Sequence, residues 1–199
     1  MSVRTAVLVS GGGTNLQALI DASRAGKMPH VDICLTLSNR ADAYALQRAE
    51  RSSIPSAVCQ REQGEAREAF EARMLDILRA HDVEMLILAG FMAILSREFV
   101  QNYPDRILNV HPSLIPSFCG KGFYGLHVHE SALAYGVKVT GATVHLVNEI
   151  PDGGRILLQK AVEIEPGDTP EALQRRVMEQ AEWQLLPRAA EMVAKELEE

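Results

Sequence analysis

Apolar positions along this chain alternate between two periods. Residues 3–10 (VRTAVLVS), 31–37, 55–59, 84–89 and 106–110 are short, predominantly apolar runs without strict alternation, the pattern of strands buried on both faces. Between them, residues 14–26, 41–51 and 65–81 carry apolar residues at helical spacing, with Leu16, Leu19 and Ile20 on one stripe and Phe70, Met74, Leu75 and Leu78 on another. A short helix near 96–101 separates the fourth and fifth runs. This alternation predicts an α/β fold: a doubly wound, mostly parallel, Rossmann-like sheet with helices on both faces. The pattern then changes. After a helix at 128–134, two β-rich runs at 138–147 and 155–164 flank Asp152-Gly153-Gly154, and one last helix starts at Thr169, with Thr169 as N-cap and Pro170 at the first helical position.

At 199 residues the chain fits a single domain, its 1–105 half holding a glycine-rich loop and its 106–199 half the remaining polar motifs. No apolar run approaches the roughly 18 residues of a membrane span, and the first apolar stretch breaks at Ser10-Gly11-Gly12-Gly13, unlike a signal sequence. The expectation is a cytoplasmic protein with no membrane partner. A net charge of −6 argues against nucleic acid as main partner, so an anionic substrate must be held by local donors. Cys34, Cys59 and Cys119 are odd in number and widely spaced, suggesting neither disulfides nor a zinc ribbon.

The most informative stretch is Leu108-Asn109-Val110-His111-Pro112-Ser113-Leu114-Ile115-Pro116. Residues at i and i+2 of a strand share a face, so Asn109 and His111 project together from a strand's carboxyl end, where open α/β sheets bind ligands. An amide donor beside an imidazole suits a carbonyl oxygen gaining negative charge, with a proton to be moved: acyl-transfer chemistry. Ser10-Gly11-Gly12-Gly13-Thr14-Asn15-Leu16 joins a strand to a helix N-terminus, where backbone N–H groups converge on an anion. It lacks the Gly-Lys-Ser/Thr ending of a Walker loop, and Leu16 stands where a dinucleotide fingerprint needs its third glycine, so one phosphate is the natural guest. A tight turn capped by Thr14 is the plainer alternative. Asp152-Gly153 is by itself a hairpin signal, and in the functional alternative the Asp152 carboxylate reaches His111. His127-Val128-His129 beside His111 and Cys119 matches no zinc spacing, so no metal is expected.

Together with Leu88-Ala89-Gly90-Phe91-Met92 and Gly141-Ala142-Thr143-Val144-His145, these motifs resemble the phosphoribosylglycinamide formyltransferases, in the same order and over about residues 3–188. The resemblance implies formyl transfer from 10-formyltetrahydrofolate, a cosubstrate, to the amine of glycinamide ribonucleotide by direct attack through a tetrahedral intermediate. It implies a catalytic trio of Asn109, His111 and Asp152, and phosphate binding at Gly13, Thr14 and Asn15. It further implies a folate site with Arg67, Phe91, Met92, Ile94 and Leu95, a ribonucleotide contact from Glu182, and a monomer or homodimer. The chain departs from relatives at Ala93, where a basic residue is common, at Arg155 and Trp183, and in a longer 119–124 loop whose Lys121 offers replacement charge. Formyltetrahydrofolate deformylase and a non-catalytic phosphoribosyl- or folate-binding protein are the rival readings. A methionyl-tRNA formyltransferase would carry a further domain and basic surface, and a nucleotide-dependent oxidoreductase lacks its fingerprint here.

Overall fold

The computed structural model describes residues 2–198. Seven strands form one sheet: β1 (Val3–Val9), β2 (Val31–Ser38), β3 (Ser56–Val58), β4 (Met85–Leu88), β5 (Ile107–His111), β6 (Val139–Leu146) and β7 (Ile156–Glu163), in the order β3-β2-β1-β4-β5-β6-β7. The first five pair in parallel, as their alternation with helices requires. β6 runs antiparallel to β5, and β7 to β6, so the change of pattern after residue 111 marks an antiparallel edge on a parallel sheet.

Both faces of the central strands are covered, which explains why they lack polar alternation. In β1, Val3, Val7 and Val9 enter one core layer with Leu16, Leu19 and Ile20 of α1 (Thr14–Arg24). Ala6 and Leu8 enter the other, with Phe70, Met74 and Leu78 of α3 (Arg67–Ala80) and Phe99 of α4 (Arg97–Val100). α2 (Tyr44–Arg51) starts three residues later than its apolar spacing suggests, and α5 (Leu126–Tyr135) lies after the long loop following β5. Among the described residues no helix is long and apolar enough to cross a membrane.

The C-terminal segment corrects the expectation of a single last helix. It is α6 (Pro170–Val177), a π-helical turn (Met178–Glu182) and α7 (Trp183–Glu198), with Thr169 capping α6 through the Ala172 N–H. Leu173, Val177, Ala181 and Leu185 are all buried, at steps of four residues. Four residues of an α-helix turn by about 400°, so the buried stripe drifts about 40° per step, and a wider turn takes up that drift.

Sequence order reverses between β1 and β4, the switch point at which open α/β sheets bind ligands beyond the carboxyl ends of their strands. The loops leaving β1, β4 and β5 all begin there.

Candidate active site

Leu108 and Val110 face the core layer shared with α1, whereas Ile107 faces the opposite one. Asn109 and His111 share the parity of Ile107 and lie on its side, as i and i+2 spacing requires. The turn after β5 is pinned to both antiparallel strands. Thr143 donates its hydroxyl to the Ser113 carbonyl at 2.7 Å and receives the Ile115 N–H at 3.1 Å, while the Gln159 amide donates to the Ile115 carbonyl at 3.0 Å.

Asp152 comes from the β6–β7 connection, so its two readings are both realised: it sits in a hairpin and its carboxylate enters the site. Asp152 is left-handed at φ 56°, and at Gly154 a β-carbon would stand 1.7 Å from the Leu146 carbonyl oxygen, so only glycine lets the hairpin close. Asp152 Oδ2 lies 3.6 Å from His111 Nδ1 and accepts the Gly120 N–H at 2.8 Å. Asp152 Oδ1 lies 3.4 Å from the Asn109 amide nitrogen. The trio is thus assembled across 43 residues of sequence.

His111 is 4 % exposed, and its Nε2–H donates to the Phe118 carbonyl at 2.8 Å. Burial pushes its imidazole below the ordinary histidine value, with the Asp152 charge and the Phe118 bond acting the other way. Burial also opposes ionisation of Asp152, but the nearby imidazoles of His145 and His111 and the Gly120 N–H hold it below the usual carboxylate value. The resting pair is therefore a carboxylate and a neutral imidazole with its lone pair on Nδ1, facing that carboxylate.

One residue in this cluster has no role in the sequence reading. His145 lies directly across the β5–β6 ladder from Asn109, with Nε2 3.2 Å from the Asn109 amide nitrogen and 3.5 Å from Asp152 Oδ1. Its signal was its place at the end of the Gly141-to-His145 motif, which becomes meaningful only once β6 is known to pair with β5.

The glycine loop stands at the N-terminus of α1, where the first helical N–H groups have no intrahelical partner. Gly13 has φ 70°, and a β-carbon there would stand 2.6 Å from that of Ala45. Arg48 of α2 braces the loop by donating to the Gly12 carbonyl at 2.8 Å. The π turn meets the same helix end: the Thr14 hydroxyl donates to Met178 Sδ at 3.6 Å, and the Asn15 amide donates to Glu182 Oε2 at 2.8 Å. The Asn15 side chain is thereby committed inward, leaving its backbone N–H to the loop. Glu182 is buried, and that burial raises its carboxyl to about 7 against the Asn15 hydrogen bond. Thr14, Asn15 and Glu182 therefore belong to one corner, 167 positions apart in the case of Asn15 and Glu182.

The proposed folate residues divide. Met92 and Ile94 are 53 % and 60 % exposed on the loop after β4, unusual for apolar side chains next to a polar cluster. Phe91 is half-buried, and Leu95 is turned into the core with Phe99. Ser10 ties this loop to β1 by accepting the Met92 N–H at 2.8 Å. Arg67 donates to the Ile94 carbonyl and, at 3.0 Å, to Glu71, whose carboxylate also receives the Ser96 N–H at 2.8 Å. Among the departures, Lys121 is exposed, Arg155 lies 3.7 Å from Glu196, and the Trp183 indole N–H has no partner among the described residues. His127 stacks on Phe123 and His129 is fully buried, so the two histidines serve different surroundings.

Known proteins resemble this chain in sequence and in fold. The family model described as formyl transferase matches residues 3–190. Phosphoribosylglycinamide formyltransferase of Haemophilus influenzae is 42 % identical over 184 residues, 92 % of this chain and 84 % of that protein. The trifunctional purine biosynthetic protein adenosine-3 of Gallus gallus is 44 % identical over 192 residues, 96 % of this chain, which spans only 18 % of that relative's length. Among solved structures, glycinamide ribonucleotide transformylase 1 of Symbiobacterium toebii superposes with a TM-score of 0.91 at 40 % identity, covering 98 % of this chain and 88 % of that one.

Proposed function

We propose that this chain, which belongs to the formyl transferase family, transfers the formyl group of 10-formyltetrahydrofolate to the amine of glycinamide ribonucleotide. The observation that carries the reading is the convergence of Asn109, His111 and Asp152 at the carboxyl end of β5, beside the switch point from which the glycine loop also departs.

The ribonucleotide phosphate takes the backbone N–H groups of Gly13, Thr14 and Asn15 at the positive end of α1, with Glu182 behind Asn15 on the ribonucleotide side. The folate lies along the loop after β4, on the exposed apolar side chains of Met92 and Ile94, with Phe91 and Leu95 supporting that loop from below and Arg67 holding it. These surfaces flank the trio, and in this reading the amine and the formyl carbon meet between them.

The amine attacks the formyl carbon, and the carbonyl oxygen becomes an oxyanion. His111 approaches this step with Nε2–H outward as a donor; the bond it now gives to the Phe118 carbonyl is the bond the formyl oxygen takes over. The Asn109 amide supplies a second donor. As the oxyanion grows, the amine's proton passes through Asp152, by way of water, to the free Nδ1 of His111. The imidazolium so formed lies between a carboxylate and an oxyanion. Collapse of the intermediate breaks the bond to N10 of the folate, which receives the proton, and leaves formylated ribonucleotide and tetrahydrofolate. No covalent acyl-enzyme is required; the thiol nearest the cluster, Cys119, donates to the Pro116 carbonyl, and burial together with the Asp152 charge raises it and disfavours its nucleophilic thiolate.

The test is to mix the protein with 10-formyltetrahydrofolate and follow tetrahydrofolate formation with and without glycinamide ribonucleotide. Formation that requires the ribonucleotide supports the transferase. Formation with water as sole acceptor reassigns the site to a deformylase, and formation in neither case leaves a binding protein. The assembly state, monomer or homodimer, follows from sedimentation of the same sample.

A further inference from the structure

We infer that His145 is a positioning residue: it fixes which end of the Asn109 carboxamide faces the reacting carbonyl. The argument rests on the proposed formyl transfer for its kinetic consequence, and on hydrogen-bond chemistry alone for its geometry.

An Asn side chain has a donor end and an acceptor end of nearly the same shape, and the two have opposite effects on an oxyanion. The nitrogen stabilises it and the oxygen repels it. Something must therefore choose between them. Asn109 and His145 are directly opposed residues on β5 and β6, so their side chains stand on the same face of the sheet at contact distance. The Nδ1 of His145 lies 2.9 Å from the Leu146 carbonyl oxygen. A carbonyl only accepts, so Nδ1 carries a proton. In the neutral ring Nε2 is then an acceptor with a lone pair, and the atom it faces at 3.2 Å has to be a donor: the amide nitrogen of Asn109.

One hydrogen of that nitrogen is thereby committed to His145. The other is aimed toward Asp152 Oδ1 at 3.4 Å, into the space between the three catalytic side chains. In the resting molecule Asp152 helps to hold this orientation. Once its carboxylate turns to the migrating proton, the lone pair of His145 alone keeps the amide from rotating. Within the site, the groups that face the His145 ring are Asn109, the Asp152 carboxylate and the imidazole of His111. His145 is 1 % exposed, so water cannot replace its lone pair without rearrangement.

Two substitutions separate orientation from bulk. His145→Phe keeps a ring of similar size and removes the acceptor; His145→Gln can place an oxygen near the position of Nε2. In single-turnover formyl transfer, His145→Phe should be slower by about tenfold to a hundredfold, less than or equal to the loss from deleting an oxyanion donor outright. The Michaelis constants should stay within about threefold, and His145→Gln should recover most of the rate. In an Asn109→Ala background, where no amide is left to orient, His145→Phe should cost less than about threefold. The same loss in both backgrounds would overturn the inference, because a merely structural role damages both alike. Independently of activity, nitrogen-15 NMR of the unaltered protein should find His145 protonated on Nδ1 and bare on Nε2. A ring protonated only on Nε2 would overturn the inference even if the kinetics agreed. If the unaltered protein transfers no formyl group, the functional reading and the kinetic role fail together, while the tautomer still decides whether His145 orients Asn109.

Discussion

At the scale of single residues, environment decides what each polar group does. His111 and His129 are both buried imidazoles, but His111 has a carboxylate at 3.6 Å and a carbonyl at 2.8 Å, whereas neither ring nitrogen of His129 has a partner among the described residues. Replacing His111 by Ala should lower kcat by about two to three orders of magnitude and leave the Michaelis constants within a few-fold, since the group acts mainly in the transition state; steady-state kinetics against each substrate decides this. Glu182 is the converse case, an acid kept protonated by burial, at about 7 instead of the ordinary value near 4.3. Between those values this carboxyl is ionised in the unfolded chain and protonated in the folded one, so its contribution to stability declines as pH rises from about 4.3 to about 7 and is level beyond. Glu182→Gln has no such decline. Denaturant unfolding should find the variant more stable than the parent above pH 7, by up to roughly 3 kcal/mol, with the difference vanishing below pH 4.

At the scale of elements, the hairpin between β6 and β7 and the π turn carry the site's remote members to it. Gly154→Ala sets a β-carbon against the Leu146 carbonyl, a backbone atom that cannot give way, so the hairpin must open and carry Asp152 off. The expected cost is about 2–3 kcal/mol, a melting temperature lower by about 5–10 °C, together with a fall in turnover comparable to that of Asp152→Asn. Thermal melting and kinetics on the two variants separate these effects: only Gly154→Ala should lower both. Strands and helices were legible in advance because burial on two faces or on one stripe leaves a periodic trace. The π turn was not, since it hides in the same apolar stripe and shows only as the four-residue steps from Leu173 to Leu185. Its effect on the site is direct, for Met178 and Glu182, at its two ends, touch Thr14 and Asn15 in turn.

At the scale of the whole molecule, one sheet holds the glycine loop, the cluster of Asn109, His111 and Asp152 and the loop after β4 at the carboxyl end of its parallel strands, and two core layers make it rigid. His129 is a component of that interior, with burial lowering its imidazole to about 4 and the nearby His111 acting in the same direction. This group binds its proton near pH 6.5 in the unfolded chain and only near 4 in the folded one, so its contribution to stability drops as pH falls through that window, by up to roughly 3 kcal/mol and opposite in sign to that of Glu182. Relative to the parent, His129→Leu should therefore gain up to roughly 3 kcal/mol more stability at pH 4.5 than at pH 7.5, as unfolding free energies of both proteins at the two pH values would reveal. The sequence by itself determined the α/β class, the parallel core of the sheet, the helix stripes and the chemistry available at Asn109, His111 and the glycine loop, because these follow from local periodicity and residue type. Only the tertiary structure decided that Asp152 meets His111, that Glu182 stands behind Asn15 and that His145 faces Asn109. Those contacts join residues 36 to 167 positions apart, and no local pattern encodes a distance that depends on how strands pair and where a helix turns.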